Sequence, residues 1–156
     1  MDPIHVTAGS TARMGGVDVT ISLTPAQAAA LGADAAVMAD WLHSAFYAMA
    51  LLRTGRDSTG EPYVAGPADW YTPITDLDHR LIPRLEGVRD AVVSSHAHSG
   101  GTVQDLALAM DVKRSTAQYR REAILRGKDR PTAWERWAVG GGPENKGQVD
   151  NTDPQD

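Results

Sequence analysis

The sequence contains no cysteine, and this absence excludes thiolate zinc sites, cysteine nucleophiles and disulfide scaffolds. Aromatic residues are also scarce, with four Trp, four Tyr and one Phe among 156 residues. The core must therefore consist mainly of Ala, Leu, Val and Met, a composition that favours closely packed helices. A chain without cysteine is compatible with a reducing compartment, and we expect a cytoplasmic protein, associated with the nucleoid if it binds DNA.

Long apolar runs are absent as well. Residues 35–52 form the most apolar stretch, but Asp40 and His43 interrupt it, and it falls short of the roughly 20 apolar residues that a membrane span requires. The N-terminus, Met1-Asp2-Pro3, has no basic leader before an apolar stretch. We expect a helix of a soluble protein, no membrane partner and no secretion signal.

The motifs of common enzyme and cofactor sites are missing too. His96 and His98 are two residues apart, a spacing that places them on different sides of a helix, and no acidic cluster completes a metal site. Gly140-Gly141-Gly142 follows no predicted strand and precedes no Lys-Ser or Lys-Thr pair. We expect no catalytic residue, no metal and no cofactor.

What the chain does have is an uneven distribution of charge. Its net charge is -5, yet residues 113–136 contain eight of the 15 basic residues and only three acidic ones. A basic block on an otherwise acidic protein indicates a local surface for a polyanion, although a solvated helix face has the same composition.

Local patterns predict two strands and two helices in the N-terminal part. Residues 17–23 alternate apolar and polar side chains, as in a half-buried strand, and residues 4–7 are a candidate partner strand. Residues 24–27, Thr-Pro-Ala-Gln, are a helix start signal. Gly32 predicts a break, and Asp34 a restart of the helix.

The restarted helix carries a broad apolar stripe at spacings of three and four residues. Such a stripe packs either within the chain or against a second subunit or partner protein, and both alternatives remain open. The candidate dimer or partner face comprises Met38, Trp41, Leu42, Ala45, Phe46 and Met49.

The remainder reads as an irregular, Gly- and Pro-rich connector followed by helices. The pattern predicts a helix over 76–95 that Pro83 kinks or restarts, a turn over 96–101, a short helix over 102–110 capped by Thr102, and a basic helix over 114–126. Beyond them, Trp134 and Trp137 mark a short helix that docks both rings onto the body.

Three stretches of the second half resemble the bacterial helix-turn-helix regulators: Leu106-Ala107, Met110-Asp111-Val112 and Arg114-Ser115-Thr116-Ala117. The resemblance covers about residues 83–127, if the helix from Pro83 supports the motif. It departs from the family pattern at Asp111, where Gly is usual, at Lys113, where Ser or Thr caps the helix, and at Arg120, where an aliphatic residue is usual.

The resemblance implies binding of double-stranded DNA by the basic helix, whose inner side holds Ala117, Arg121 and Ile124. Candidates for base contacts are Arg114, Ser115, Gln118 and Tyr119. Candidates for phosphate contacts are Thr102, Lys113, Arg120, Arg121, Arg126 and Lys128.

These observations predict a mainly α fold with a small N-terminal β element and a C-terminal trihelical helix-turn-helix unit. The expected divisions are a strand-plus-helix region over 1–54, a linker over 55–69, a DNA-binding domain over 70–139 with the motif at 102–126, and a disordered tail over 140–156. We expect a dimeric transcriptional regulator. The alternative is a non-catalytic module whose basic helix and apolar stripe bind proteins, while an RNA-binding adaptor lacks the interleaved aromatics for base stacking.

Overall fold

Helices make up most of the protein, and a two-stranded antiparallel sheet lies near the N-terminus, as the sequence predicts. The computed structural model describes residues 4–8, 17–127 and 131–141. The chain divides into two compact units, Met1–Asp40 and Trp41–Asp156. The predicted tail beyond residue 141 and the candidate phosphate contact Lys128 lie outside the described residues.

The sheet consists of strands β1 (Ile4–Ala8) and β2 (Val17–Ile21), which pair with Val6 opposite Val19. The proposed pairing of the two segments is therefore confirmed, although β2 ends two residues earlier than predicted. The expectation of a half-buried strand is wrong, because Val19 is 54% exposed and its neighbours on the same face are exposed as well.

Helices α1 (Pro25–Leu31) and α2 (Asp34–Thr54) follow the sheet. The predicted start signal is confirmed as a capping box: the Thr24 hydroxyl accepts a hydrogen bond from the Gln27 amide at 3.3 Å, and the Thr24 amide donates to the Gln27 side chain at 2.9 Å. The predicted break is confirmed at Gly32, whose φ of +52° suits glycine.

The apolar stripe of α2 is only partly covered. Ala48 and Leu51 are buried, whereas Phe46 is 55% exposed and Met49 is also exposed. The other members of the candidate dimer or partner face, Met38, Trp41, Leu42 and Ala45, are half-buried. The candidate dimer or partner face is therefore partly packed within the chain and partly exposed to solvent.

Among the described residues, α2 has the length and apolar composition of a membrane span, and core helices of soluble proteins meet the same criterion. The expected absence of a membrane span stays a prediction.

The predicted connector after α2 is organised by hydrogen bonds to one carboxylate. Asp57 Oδ1 accepts from the Thr59 amide at 2.8 Å, the Thr59 hydroxyl at 2.6 Å and the Glu61 amide at 3.1 Å. The Thr59 side chain, followed by its amide, lowers the pKa of Asp57. Further along, Tyr63 donates its hydroxyl to the Asp69 carboxylate at 3.0 Å, and this bond raises the pKa of Tyr63.

Helical structure runs without a break from residue 67 to residue 98. A 3₁₀ turn (Pro67–Trp70) leads into α3 (Tyr71–Thr75), then a π-helix (Asp76–Leu81), then α4 (Ile82–His98). The predicted helix over 76–95 is thus too short at both ends, and the predicted turn begins at Ser99 rather than at His96.

The π-helix explains why Pro83 does not interrupt this run. Proline cannot donate to the carbonyl four residues earlier, and its ring collides with that carbonyl in a regular α-helix. The wider turn places Pro83 at the start of α4, where a missing donor costs little. Within the π-helix, the buried carboxylate of Asp76 accepts a hydrogen bond from the Arg80 guanidinium at 2.7 Å, so the two side chains form an ion pair.

The last described helix, α7 (Ala133–Ala138), packs against α4. The rings of Trp134 and Trp137 meet edge to face at 6.4 Å, and the Arg84 guanidinium lies 4.0 Å from the Trp134 ring centre and 4.4 Å from that of Trp41. The predicted docking of both tryptophans onto the body is confirmed. Gly87 permits it, because a Cβ there would lie 2.5 Å from the Trp134 backbone.

Candidate nucleic-acid interface

Two short helices with one shared core carry the candidate site. Helices α5 (Val103–Met110) and α6 (Arg114–Arg126) have the predicted bounds. Helix α6 packs against both α5 and α4. The buried members of their core are Val93 from α4, Leu106 and Ala107 from α5, and Ala117 from α6. Ala117 is completely buried, so the two helices approach closely at this small side chain.

Thr102 begins α5 by capping it. Its hydroxyl accepts from the Asp105 amide at 3.1 Å and donates to the Asp105 carboxylate at 2.7 Å. The acid also lies in the first turn, where it complements the helix dipole. The hydroxyl of Thr102 is therefore used within the protein, and its backbone amide is the group that a phosphate contact requires.

The turn between α5 and α6 depends on Asp111. Its φ of 50° and ψ of 49° are left-handed, and among the described residues it is the one non-glycine residue with positive φ. The turn closes through a hydrogen bond from the Val112 amide to the Ala107 carbonyl at 3.1 Å. Asp111 thus adopts the conformation for which glycine is usual, at the steric cost of its Cβ.

All four candidate base contacts are exposed on α6. Arg114, Ser115 and Gln118 lie within its first five residues, and Tyr119 is 70% exposed. Their carbon stems do not contribute to the buried core, which α6 reaches through Ala117 and the partly buried Ile124. The face that carries them is available to a ligand in the described structure.

An acid interrupts this otherwise basic face. Glu122 accepts a hydrogen bond from the Gln118 side chain at 2.9 Å and lies 3.6 Å from the Arg126 guanidinium. Glu122 follows Gln118 by one helical turn and therefore lies on the same face of α6. One of the two N–H groups of the Gln118 amide is therefore engaged within the protein.

The candidate phosphate contacts differ in exposure. Lys113, Arg120 and Arg126 are exposed, whereas Arg121 is half-buried because it follows Ala117 by one helical turn. Lys113 is the N-cap residue of α6 and makes no side-chain cap, so its side chain is not drawn into capping.

A groove of about 270 Å³ separates α4 from α6. Val93, Met110 and Ile124 line its apolar part, and Arg120 and Tyr119 line it from the side of α6. The departure of Arg120 from the aliphatic pattern is accommodated here, since an arginine stem can cover apolar surface while its guanidinium stays in water. Two further lining residues were missed by sequence reasoning, Arg89 and Asp90, an adjacent ion pair at 2.8 Å on α4.

The histidines make no joint site among the described residues, where no group of three or more potential metal ligands occurs. His98 contacts the Ser94 carbonyl through Nδ1 at 2.6 Å. The His96 ring instead lies against Gly101, and its buried Nδ1 has no hydrogen-bond partner. The two imidazole rings thus contact different elements: His98 contacts the last turns of α4, and His96 contacts the glycine that follows the helix.

Comparisons with protein-family models, with curated proteins and with solved structures gave no significant match for this chain.

Proposed function

We propose that α4, α5 and α6 form a trihelical helix-turn-helix unit and that the protein is a sequence-specific DNA-binding regulator. The observation that carries the proposal is the two-sided character of α6: one side is anchored by completely buried Ala117, and the other exposes Arg114, Gln118 and Tyr119. A helix that packs one face against the core and exposes polar and basic side chains near its N-terminus is suited to insertion into the major groove.

The exposed side chains have chemistry suited to base edges. Arginine forms bidentate hydrogen bonds with guanine, and glutamine does so with adenine, so Arg114 and Gln118 are assigned to base reading. Lys113, Arg120 and Arg126 are assigned to phosphates, where charge matters more than the direction of a hydrogen bond. The partly buried Arg121 contributes to the same positive field.

A dimer completes this proposal. A single helix of 13 residues reads only a few base pairs, and two copies related by a two-fold axis read two half-sites. The protein then acts in the cytoplasm, on the nucleoid, with duplex DNA as its ligand.

The test compares three variants by fluorescence anisotropy, using duplexes selected by the protein itself and random duplexes of equal length. Arg114→Ala and Gln118→Ala should each weaken binding to the selected duplex by about 1–3 kcal/mol and leave random DNA nearly unaffected. Arg126→Ala should weaken both duplexes alike. Equal losses on both duplexes for Arg114→Ala and Gln118→Ala would contradict the assignment.

Glu122→Gln is the matched control on the same face. Removing this negative charge, while keeping a side chain of the same shape beside Gln118, should tighten binding to every duplex. A wild-type protein that fails to bind any duplex at low salt would rule out the proposal.

A protein-interaction module is the second candidate, and the uncovered part of α2 favours it. Phe46 is 55% exposed and Leu52 is 73% exposed, in a helix that also buries Leu51. Exposed apolar side chains on one helix suit a partner protein. The same anisotropy experiment separates the candidates, since this module has no affinity for duplex DNA.

A further inference from the structure

One face of the β1–β2 ribbon is aliphatic in register. Ile4 lies opposite Ile21, and Val6 lies opposite Val19, while Val17 continues the same face. Each of these five side chains is more than half exposed, between 54% and 65%. The other face carries polar residues, including Thr20 opposite His5.

The ribbon has no core of its own. None of residues 4–6 and 17–40 is buried, and these include all of α1. A two-stranded antiparallel ribbon alone is at best marginally stable in water, and it becomes stable when its apolar face is covered. A second surface that covers the apolar face would therefore stabilise this ribbon.

We infer that the aliphatic face of the ribbon binds the same face of a second copy of this chain. The face carries no charge, so it is complementary to itself, as a two-fold interface requires. All five aliphatic residues are more than half exposed. A face-to-face pair that covers them completely buries at most roughly 1,000 Å², about the smallest area of a specific interface.

This interface supplies the dimer that the proposed function invokes, and it rests on that proposal only for its biological use. It also moves the dimer contact from α2, the sequence-predicted face, to β1 and β2. Because the Val6–Val19 pair is central, a two-fold axis through the middle of the face brings this pair against its equivalent, and Val19 then faces Val19 or Val6 of the second copy.

The experiment measures the oligomeric state of the full chain by sedimentation velocity over a range of concentrations. The wild type should dimerise, and Val19→Lys should raise the dimer dissociation constant at least tenfold by placing a charge in the middle of the face. Thr20→Lys adds the same charge to the opposite face and should leave the dimer intact. A monomeric wild type, or a dimer insensitive to Val19→Lys, overturns the inference.

Cross-linking protects this test against a variant that misfolds. The chain has no native cysteine, so Val19→Cys and Thr20→Cys each provide a single thiol. A short bis-maleimide should link Val19→Cys into a covalent dimer and leave Thr20→Cys monomeric. Equal linking of the two variants overturns the inference, as does a wild type that binds lipid vesicles or another protein through this face while staying monomeric.

The two proposals fail separately. If the wild type dimerises, Val19→Lys disrupts the dimer and the wild type binds no duplex DNA, the interface is supported and the DNA-binding function is excluded. If the wild type binds DNA specifically but stays monomeric, the DNA-binding function is supported and the interface is excluded.

Discussion

At the residue scale, Asp111 shows how a single side chain can be placed against its own preference. Its left-handed backbone joins α5 to α6, and the turn on which the relative position of these helices depends has no glycine to relieve the contact. The resemblance to helix-turn-helix proteins located this turn from the flanking residues, because Asp111 itself lacks the glycine that is usual there.

We expect Asp111→Gly to stabilise the protein by up to about 1 kcal/mol, since it removes the steric cost of a Cβ but also frees the unfolded chain. Asp111→Val, which adds a branched Cβ at positive φ, should destabilise it by about 1–2 kcal/mol or more. Urea unfolding monitored by circular dichroism measures both. The opposite order of stability would show that the left-handed turn is wrong.

Asp57 gives a second prediction at this scale, which concerns pH. Its pKa is lowered in the folded protein, so the ionised carboxylate favours the ordered connector above the pKa of the unfolded chain, about 3.9. That contribution disappears as the pH falls through the lower folded pKa. Thr59→Val removes the hydroxyl donor and should raise the pKa of Asp57, as measured by carboxyl NMR titration. Thr54→Val, which changes another hydroxyl near the connector, is the control and should leave the pKa of Asp57 unchanged.

At the scale of elements, the attachment of α7 to α4 depends on the missing side chain of Gly87. We expect Gly87→Ala to push α7 away and destabilise the protein by about 1–3 kcal/mol, the range for overpacked cores, with a red shift of tryptophan emission.

Gly127→Ala is the matched control for this prediction. A Cβ at Gly127 meets no atom of the described residues within 4 Å, and its φ of -72° is available to alanine. This variant should be neutral or slightly stabilised. If both variants unfold at the same urea concentration as the wild type, the close approach of α7 to α4 is contradicted.

The elements that the sequence predicted well are those with local signals. Thr24 and Thr102 cap their helices through hydrogen bonds three residues along the chain, and such bonds are readable from spacing. The π-helix before Pro83 was missed, because a proline within a helical pattern is equally compatible with a break, a kink or a widened turn. The contacts of the Arg84 guanidinium with Trp41 and Trp134 were missed as well, since each tryptophan lies more than 40 residues from Arg84 along the chain.

At the scale of the whole molecule, the sequence predicted the composition of the candidate site but not its electrostatic detail. The basic residues of α6 follow directly from the sequence. The ion pair between Arg89 and Asp90 and the contact of Glu122 with Gln118 depend on side-chain conformation, which periodicity does not determine. The exposure of the ribbon could not be predicted either, because the alternating pattern indicates which face is apolar but not whether that face is covered.

The charge distribution leads to a further prediction for the whole molecule. If four or five of the basic residues on or beside α6 contact phosphates, the slope of log K against log salt should be about -4 for one copy and about -8 for a dimer. Anisotropy titrations between low and moderate salt give this slope. Val19→Lys should show the smaller value, and a slope near zero would contradict binding through phosphates.

The packing of α7 on α4 also has a consequence for the order of folding. Helices α4, α5 and α6 are consecutive, so their contacts close only short loops, whereas the contact of Trp134 with Gly87 closes a loop of nearly fifty residues. Contacts between near neighbours in the chain form early, because they restrict less of the chain's freedom. We expect the core around Ala117 to form first and α7 to join it afterwards, so that α6 is in place before α7 packs on α4.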